Sequence, residues 1–210
     1  MFVNREEAGK LLAKELVDYK NKKDAVIVTI PRGGVPIGYI IAKELKLPLD
    51  IVLSKKIGHP LHKEFAIGAV TLNDIILSEA ADTVSTEYIE AETTRIRTVL
   101  KQRQNWYYGN KTALNLKDKL VILVDDGVAT GNTLISSIKL IEKQKPSQII
   151  VGLPVGPPST IKKIRALPYV NKTICLLTPY YFHSVGEFYE TFNPVDDKEV
   201  IRLLKASVNN

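Results

Sequence analysis

An α/β fold, a single doubly wound domain with a mainly parallel central sheet, is predicted by three observations. Short apolar, β-branched runs alternate along the chain with stretches of helical periodicity. No internal repeat, low-complexity block or Pro/Gly/Ser linker interrupts that alternation, so residues 1–210 read as one unit. Hydrophobic residues make up 45% of the 210, enough for a full core. The sheet and its helices are expected over about 20–178, with an aromatic-rich C-terminal segment, about 179–210, as a small hood.

The elements follow in order. Asn4 with Glu7 three residues on resembles a capping box, and Ala8, Leu11, Leu12 and Leu16 give the helix behind it an apolar face. A strand at 25–30 leads to Gly33 and Gly34, which open a helix with Pro36 in its first turn and Ile37, Ile40, Ile41 and Leu45 inward. Residues 50–53 read as a second strand, 55–65 as a polar, basic loop, and 67–72 with Ile75–Leu77 as a hairpin around Asn73-Asp74. A long helix over 86–107 starts acidic and ends basic, matching its dipole, with Ile89, Ile96, Leu100 and Trp106 as its buried stripe. Then come strand Leu120–Val124, the loop 125–133, a helix to about 143, strand 149–154, a short helix from 159 and strand Lys172–Leu177. A last helix is expected near 197–205.

Bulk properties narrow the function classes. No apolar run approaches the roughly 18 residues needed to cross a bilayer, and the opening residues lack the apolar centre of an export signal. The one cysteine, Cys175, lies in an apolar stretch and reads as a buried structural thiol, which fits a cytoplasmic protein. The formal charge of +6 favours anionic partners, whether nucleic acid or a phosphorylated small molecule.

The chemistry is concentrated in Val121-Ile-Leu-Val-Asp-Asp-Gly-Val-Ala-Thr-Gly-Asn-Thr133. An apolar strand delivers two carboxylates, Asp125 and Asp126, to its carboxyl end, where open α/β sheets bind ligands. The loop Gly127, Val128, Ala129, Thr130, Gly131, Asn132, Thr133 opens straight into a helix, whose first N–H groups and dipole suit a phosphate. Two carboxylates would repel a phosphate, so they need another purpose. They can accept from paired sugar hydroxyls or hold a hydrated Mg²⁺ ion, and a ribose phosphate satisfies both halves of the motif. A nucleotide-hydrolase magnesium strand and an ordinary Asp-Gly hairpin turn are the competing readings, but the first requires a G-x-x-x-x-G-K-[ST] loop that this sequence lacks, and the second does not explain Thr-Gly-Asn-Thr opening a helix.

Residues 121–133 closely resemble the phosphoribosyl diphosphate motif of type I phosphoribosyltransferases. The resemblance extends over nearly the whole chain and is nearest to a stand-alone bacterial and archaeal group. That group's landmarks are read at 31–34 (Pro-Arg-Gly-Gly), 56–58 (Lys-x-Gly), 64–69 (Glu-Phe-Ala-x-Gly-Ala) and 185–189 (Val-Gly-x-x-Tyr). It implies the type I phosphoribosyltransferase fold and an enzyme that transfers ribose 5-phosphate from Mg-bound phosphoribosyl diphosphate to a nitrogenous base. It also implies that Asp125 and Asp126 bind the ribose hydroxyls and Mg²⁺, directly or through water, and that 127–133 holds the 5-phosphate. The diphosphate falls to Arg32, Gly33 and Gly34, with Lys56, and Lys55 beside it, neutralising charge. Asp125, Asp126, Lys56 and Arg32 are the expected catalytic set.

Ala129 stands where phosphoribosyltransferases for 6-oxopurines usually carry an Asp, and a methyl group cannot serve as acid or base, so hypoxanthine and guanine are disfavoured acceptors. Tyr180, Tyr181, Phe182, Val185 and Tyr189 are candidates either for stacking on the base or for packing the hood. The loop through His59, His62 and Lys63 is one candidate lid, although the family's lid often follows a later strand. Small-molecule substrates are expected, a homodimer is compatible, and no membrane or nucleic-acid partner is. The alternative is a regulatory protein that binds phosphoribosyl diphosphate without turnover.

Overall fold

A computed structural model describes residues 1–63, 65–109 and 112–207. Glu64, the first residue of one of the landmarks, lies outside the described residues. In chain order the elements are α1 (Arg5–Glu15), β1 (Ala25–Thr29), α2 (Gly34–Leu45), β2 (Leu49–Ile51), β3 (Lys55–Gly58), β4 (Ala66–Val70), β5 (Ile75–Leu77), α3 (Thr86–Tyr108), β6 (Leu120–Val124), α4 (Asn132–Glu142), β7 (Gln148–Val155), α5 (Pro158–Arg165), β8 (Lys172–Leu177) and α6 (Asp197–Ala206). Short 3₁₀ turns lie at Val17–Tyr19, Glu79–Thr83 and Val185–Phe188.

Five strands form an all-parallel sheet in the order β2-β1-β6-β7-β8. β1 and β6 are buried at every position, which is why they read as unbroken apolar runs rather than alternating ones. Ile27, Ile122 and Ile150 pack toward α1 and α2, while Val26, Val28, Val121 and Leu123 pack toward α4 and α5. From β1 the chain moves one way to β2, and β6 is then laid on the opposite side of β1. The crevice at the carboxyl ends therefore opens between β1 and β6, the switch point at which such sheets bind ligands.

A second, three-stranded antiparallel sheet, β3-β4-β5, packs Ile57, Ile67 and Val70 against Ile96 and Leu100 of α3. The expected hairpin is present as β4 and β5. The expected loop at 55–65 needs correction, because Lys55–Gly58 is a strand. Its apolar contribution is the single residue Ile57, and one apolar position shows no period of two.

Two side chains expected inward are outside. Trp106 is 67% exposed, and Tyr107 takes the buried place. At about 100° per residue Tyr107 falls within about 20° of Ile96, whereas Trp106 falls about 80° off the stripe. Leu11 is exposed too, while Ala8, Leu12 and Leu16 fill the core side of α1 and the turn after it. Asn4 caps α1 by accepting from the Glu7 amide at 3.0 Å, and the Glu7 carboxylate accepts from the Val3 amide at 2.6 Å, one residue earlier than a capping box would have it.

Candidate active site

β6 delivers Asp125 and Asp126, both half-buried, to the crevice. The following turn is pinned from behind, with Val128 N–H donating to the Val155 carbonyl at 2.9 Å and Thr160 Oγ1 donating to the Ala129 carbonyl at 2.7 Å. Gly131 caps α4 with φ +84°, left-handed backbone that a side chain would strain. Among the described residues none accepts a hydrogen bond from the Ala129, Thr130 or Gly131 amide, and Ala129, Thr130, Asn132 and Thr133 are all exposed. The loop thus presents free N–H donors and hydroxyls at a helix start, with Gly127 and Val128 buried beneath it.

The other wall is the turn after β1. Its Pro31–Arg32 peptide is cis, Arg32 is exposed, and Gly34 begins α2. The two glycines are needed first for packing against the acidic loop. A Cβ on Gly33 would lie 2.1 Å from Asp126 Oδ2, and one on Gly34 would lie 3.0 Å from the Asp125 Cα. Both glycines therefore let this turn close against the acidic loop, and the two loops form one surface.

Burial raises the Asp125 carboxyl well above the ordinary carboxylate range, and the neighbouring Asp126 charge adds to this. Burial raises Asp126 too, against the opposing Arg5 guanidinium. Arg5, at the first position of α1, donates from Nε and Nη2 to Asp126 Oδ2 at 2.9 and 2.8 Å. Sequence reasoning missed this residue. The available signal was a cation in the first turn of a helix, where the dipole favours the acids that follow it, Glu6 and Glu7.

The two lysines part company on β3. Lys55 shares a face with Ile57, which packs on α3, and its charge reaches Glu92 of that helix. Lys56 is paired across the strands with Ala69, which lines a groove facing Asn132 and Ile135 of α4. Of the pair, Lys56 thus lies on the face toward α4, the helix that the 127–133 loop opens.

The hood aromatics also divide. Tyr180 and Tyr181 are 91% and 90% exposed. Tyr189, a candidate for stacking on the base, is instead buried and donates its hydroxyl to the Asp126 carbonyl at 2.7 Å. Burial, with the Asp126 charge adding, holds its phenol above the usual range. Phe182 stacks on Phe188, and Val185 sits on Gly127, where an added Cβ would meet it at 2.5 Å.

A parallel sheet with a phosphate-type loop and an acidic pair at its switch point defines a class of nucleotide- or sugar-phosphate-binding proteins. The sequence matches the phosphoribosyl transferase domain family over residues 4–186, and the chain belongs to that family. It is 33% identical to a protein of Thermus thermophilus whose crystal structure superposes with a TM-score of 0.86, covering 97% of each chain. A Mycobacterium tuberculosis protein that carries a provisional phosphoribosyl transferase name is 29% identical over 211 residues, 97% of this chain and 46% of the relative. The chain thus spans about half the length of that curated relative. The uracil phosphoribosyltransferase of Mycoplasma genitalium is 38% identical over 65 residues, 30% of this chain and 32% of the relative. The architecture is the type I phosphoribosyltransferase fold. Among the described residues no helix is long and apolar enough to cross a membrane.

Proposed function

We propose that this transferase moves ribose 5-phosphate from Mg-bound phosphoribosyl diphosphate to a nitrogenous base and releases diphosphate. The observation that carries the reading is the convergence of two loops at the switch point, one offering free amides at a helix start, the other two glycines and Arg32, with a carboxylate pair between them. The 5-phosphate lies against 129–133. The ribose hydroxyls reach Asp125 and Asp126. The diphosphate is met by the Gly33–Gly34 backbone, Arg32 and Lys56.

As positive charge builds on the sugar ring, no covalent nucleophile is required. The protein holds the ribose rigidly and stabilises the departing diphosphate. Among the described residues no group of three His, Cys, Asp or Glu could hold a metal alone. Two adjacent carboxylates suit Mg²⁺, which commonly takes one or two from the protein and the rest from substrate oxygens and water. Bound there, the ion would supply neutralising charge for the diphosphate.

Ala129 offers no group for a 6-oxopurine, and the local likeness to a uracil enzyme makes uracil the first acceptor to try. The exposed faces of Tyr180 and Tyr181 are available for a ring. Diphosphate release, measured with phosphoribosyl diphosphate, Mg²⁺ and a panel of bases led by uracil, tests the reading. Turnover with at least one base, abolished by chelation, is expected. Release that persists after chelation, or binding of phosphoribosyl diphosphate without turnover on any base, would overturn it.

A further inference from the structure

We infer that Arg5 is a positioning residue of this site: it fixes Asp126 so that the two neighbouring carboxylates do unequal work, with Asp125 the main acceptor for the ligand and Asp126 shared between the ligand and the protein. The inference rests on the reading proposed above. Both Arg5 bonds to the pair fall on one oxygen, Oδ2 of Asp126, and these side chains are only 12% and 15% exposed. The rest of the guanidinium is spent on the C-terminal segment. Nη1 donates to the Asn193 carbonyl at 2.8 Å, and the ion lies 3.8 Å from the Phe192 ring centroid.

That segment is in turn tied to the N-terminus. The Phe2 amide donates to the Phe188 carbonyl and the Glu190 amide to the Phe2 carbonyl, each at 2.8 Å. Asp126 is thus gripped by its side chain through Arg5 and by its carbonyl through Tyr189. Asp125 is handled otherwise. Among the described residues its carboxylate accepts only from the Asp126 amide, at 2.9 Å, and the Arg5 charge reaches it without a bond.

A carboxylate whose charge is already answered by a two-point guanidinium has less to give to a hydroxyl or a hydrated ion. Asp125 keeps its acceptor capacity. Arg5 contributes through Asp126, by keeping that carboxylate out of Asp125's place and the loop that follows it in binding shape. The sequence separation of 121 residues explains why the motif alone suggests two equivalent acids.

The test is a double-mutant cycle read as the dissociation constant of Mg-phosphoribosyl diphosphate by calorimetry, with circular dichroism confirming that each variant is folded. Wild type, Arg5→Gln, Asp126→Asn and the double variant are compared. Arg5→Gln should weaken binding about ten-fold, the order of a lost charged hydrogen bond. In the Asp126→Asn background the same change should cost less than about two-fold, because the pair acts as one unit. Arg5→Lys, which keeps the charge but not the planar two-point geometry, should restore part of the loss. Should Arg5→Gln not fold, Arg5→Lys takes its place in the cycle with the same expected non-additivity. Equal costs in both backgrounds would mean that Arg5 acts on the ligand or the C-terminal segment directly, and unchanged binding would mean that it does not act at all. Either overturns the inference while leaving the site intact. Wild type that fails to bind overturns the site itself.

Discussion

The two sheets of this molecule are built on different terms. In the parallel sheet, β1 and β6 are buried at every position and covered by helices on both faces. The antiparallel sheet has one well-filled face, where Ile57, Ile67 and Val70 meet Ile96 and Leu100 of α3. Its other face lies across a groove from α4, lined by Ala69, Ile76, Asn132 and Ile135. The loops that meet at the crevice belong to the first region, while Lys55 and Lys56 ride on the second. Small regions with few buried contacts can open without unfolding the rest of a protein. The contrast therefore predicts a fixed cradle and, beside it, a smaller part that opens on its own and carries its lysines with it.

Two matched cavities test this separation and carry the largest expected effects. Ile122 and Ile57 are both fully buried, one in each region. Ile122→Ala should lower global stability by about 2–5 kcal/mol in denaturant melts, the usual cost of such a cavity. Ile57→Ala should cost less globally, because the loss cannot exceed the free energy of opening the small region. Hydrogen exchange should then show faster amides in β3 and β4 and unchanged protection in β6. Equal global losses with uniform exchange would show that the molecule opens as one unit.

The same contrast explains what could be read in advance. Residues 120–133 put strand, acids, Gly/Thr loop and helix start into one local run, so periodicity and turn chemistry place them without tertiary information. β3 reads as loop because Ile57 alone among its four residues faces a partner core and the lysines before it are exposed. Arg5 and Tyr189 escape for a different reason. Both act on Asp126 from more than 60 residues away in sequence, and no local pattern encodes a pairing over that span. Sequence exposes the loop's carboxylates and glycines but not that Arg5 bonds only one of its two acids.

Asp50 sharpens the comparison at the joint between the regions. At 4% exposure in β2, it accepts from the Ile51 amide at 2.8 Å, from the Leu114 amide at 2.6 Å and from the Tyr108 hydroxyl at the end of α3. Burial raises its carboxyl above the ordinary value, outweighing those bonds. The folded state therefore keeps this proton to a higher pH than the unfolded chain does. Its contribution favours folding most in acid and falls as pH rises from about 4 through the folded value. Asp50→Asn keeps one acceptor but turns an N–H₂ toward a donor, which should cost about 1–3 kcal/mol. The gap between wild type and variant should narrow as pH rises through that window, by at most about 1.4 kcal/mol per pH unit. A gap independent of pH would show that Asp50 titrates alike in both states.

Trp106 should give the smallest effect, and its position makes it a useful control. It is the only tryptophan and sits near the end of α3, the helix shared by the antiparallel sheet and the Tyr107–α6 contacts. Its ring is turned to solvent, about 80° off the buried stripe. Trp106 belongs to none of the buried clusters and Trp106→Ala leaves no enclosed cavity, so stability should change by less than about 0.5 kcal/mol, the range for surface substitutions. Tyr107, next in sequence but in phase with the stripe, bonds its hydroxyl to Asp197 at 2.5 Å, and Tyr107→Ala should cost several times more. Neutral quenchers should reach the Trp106 fluorescence almost as well in the folded protein as in denaturant. A protected tryptophan, or a loss on Trp106→Ala comparable to that at Tyr107, would place the ring inside an interface and reverse the phase assigned to the end of α3.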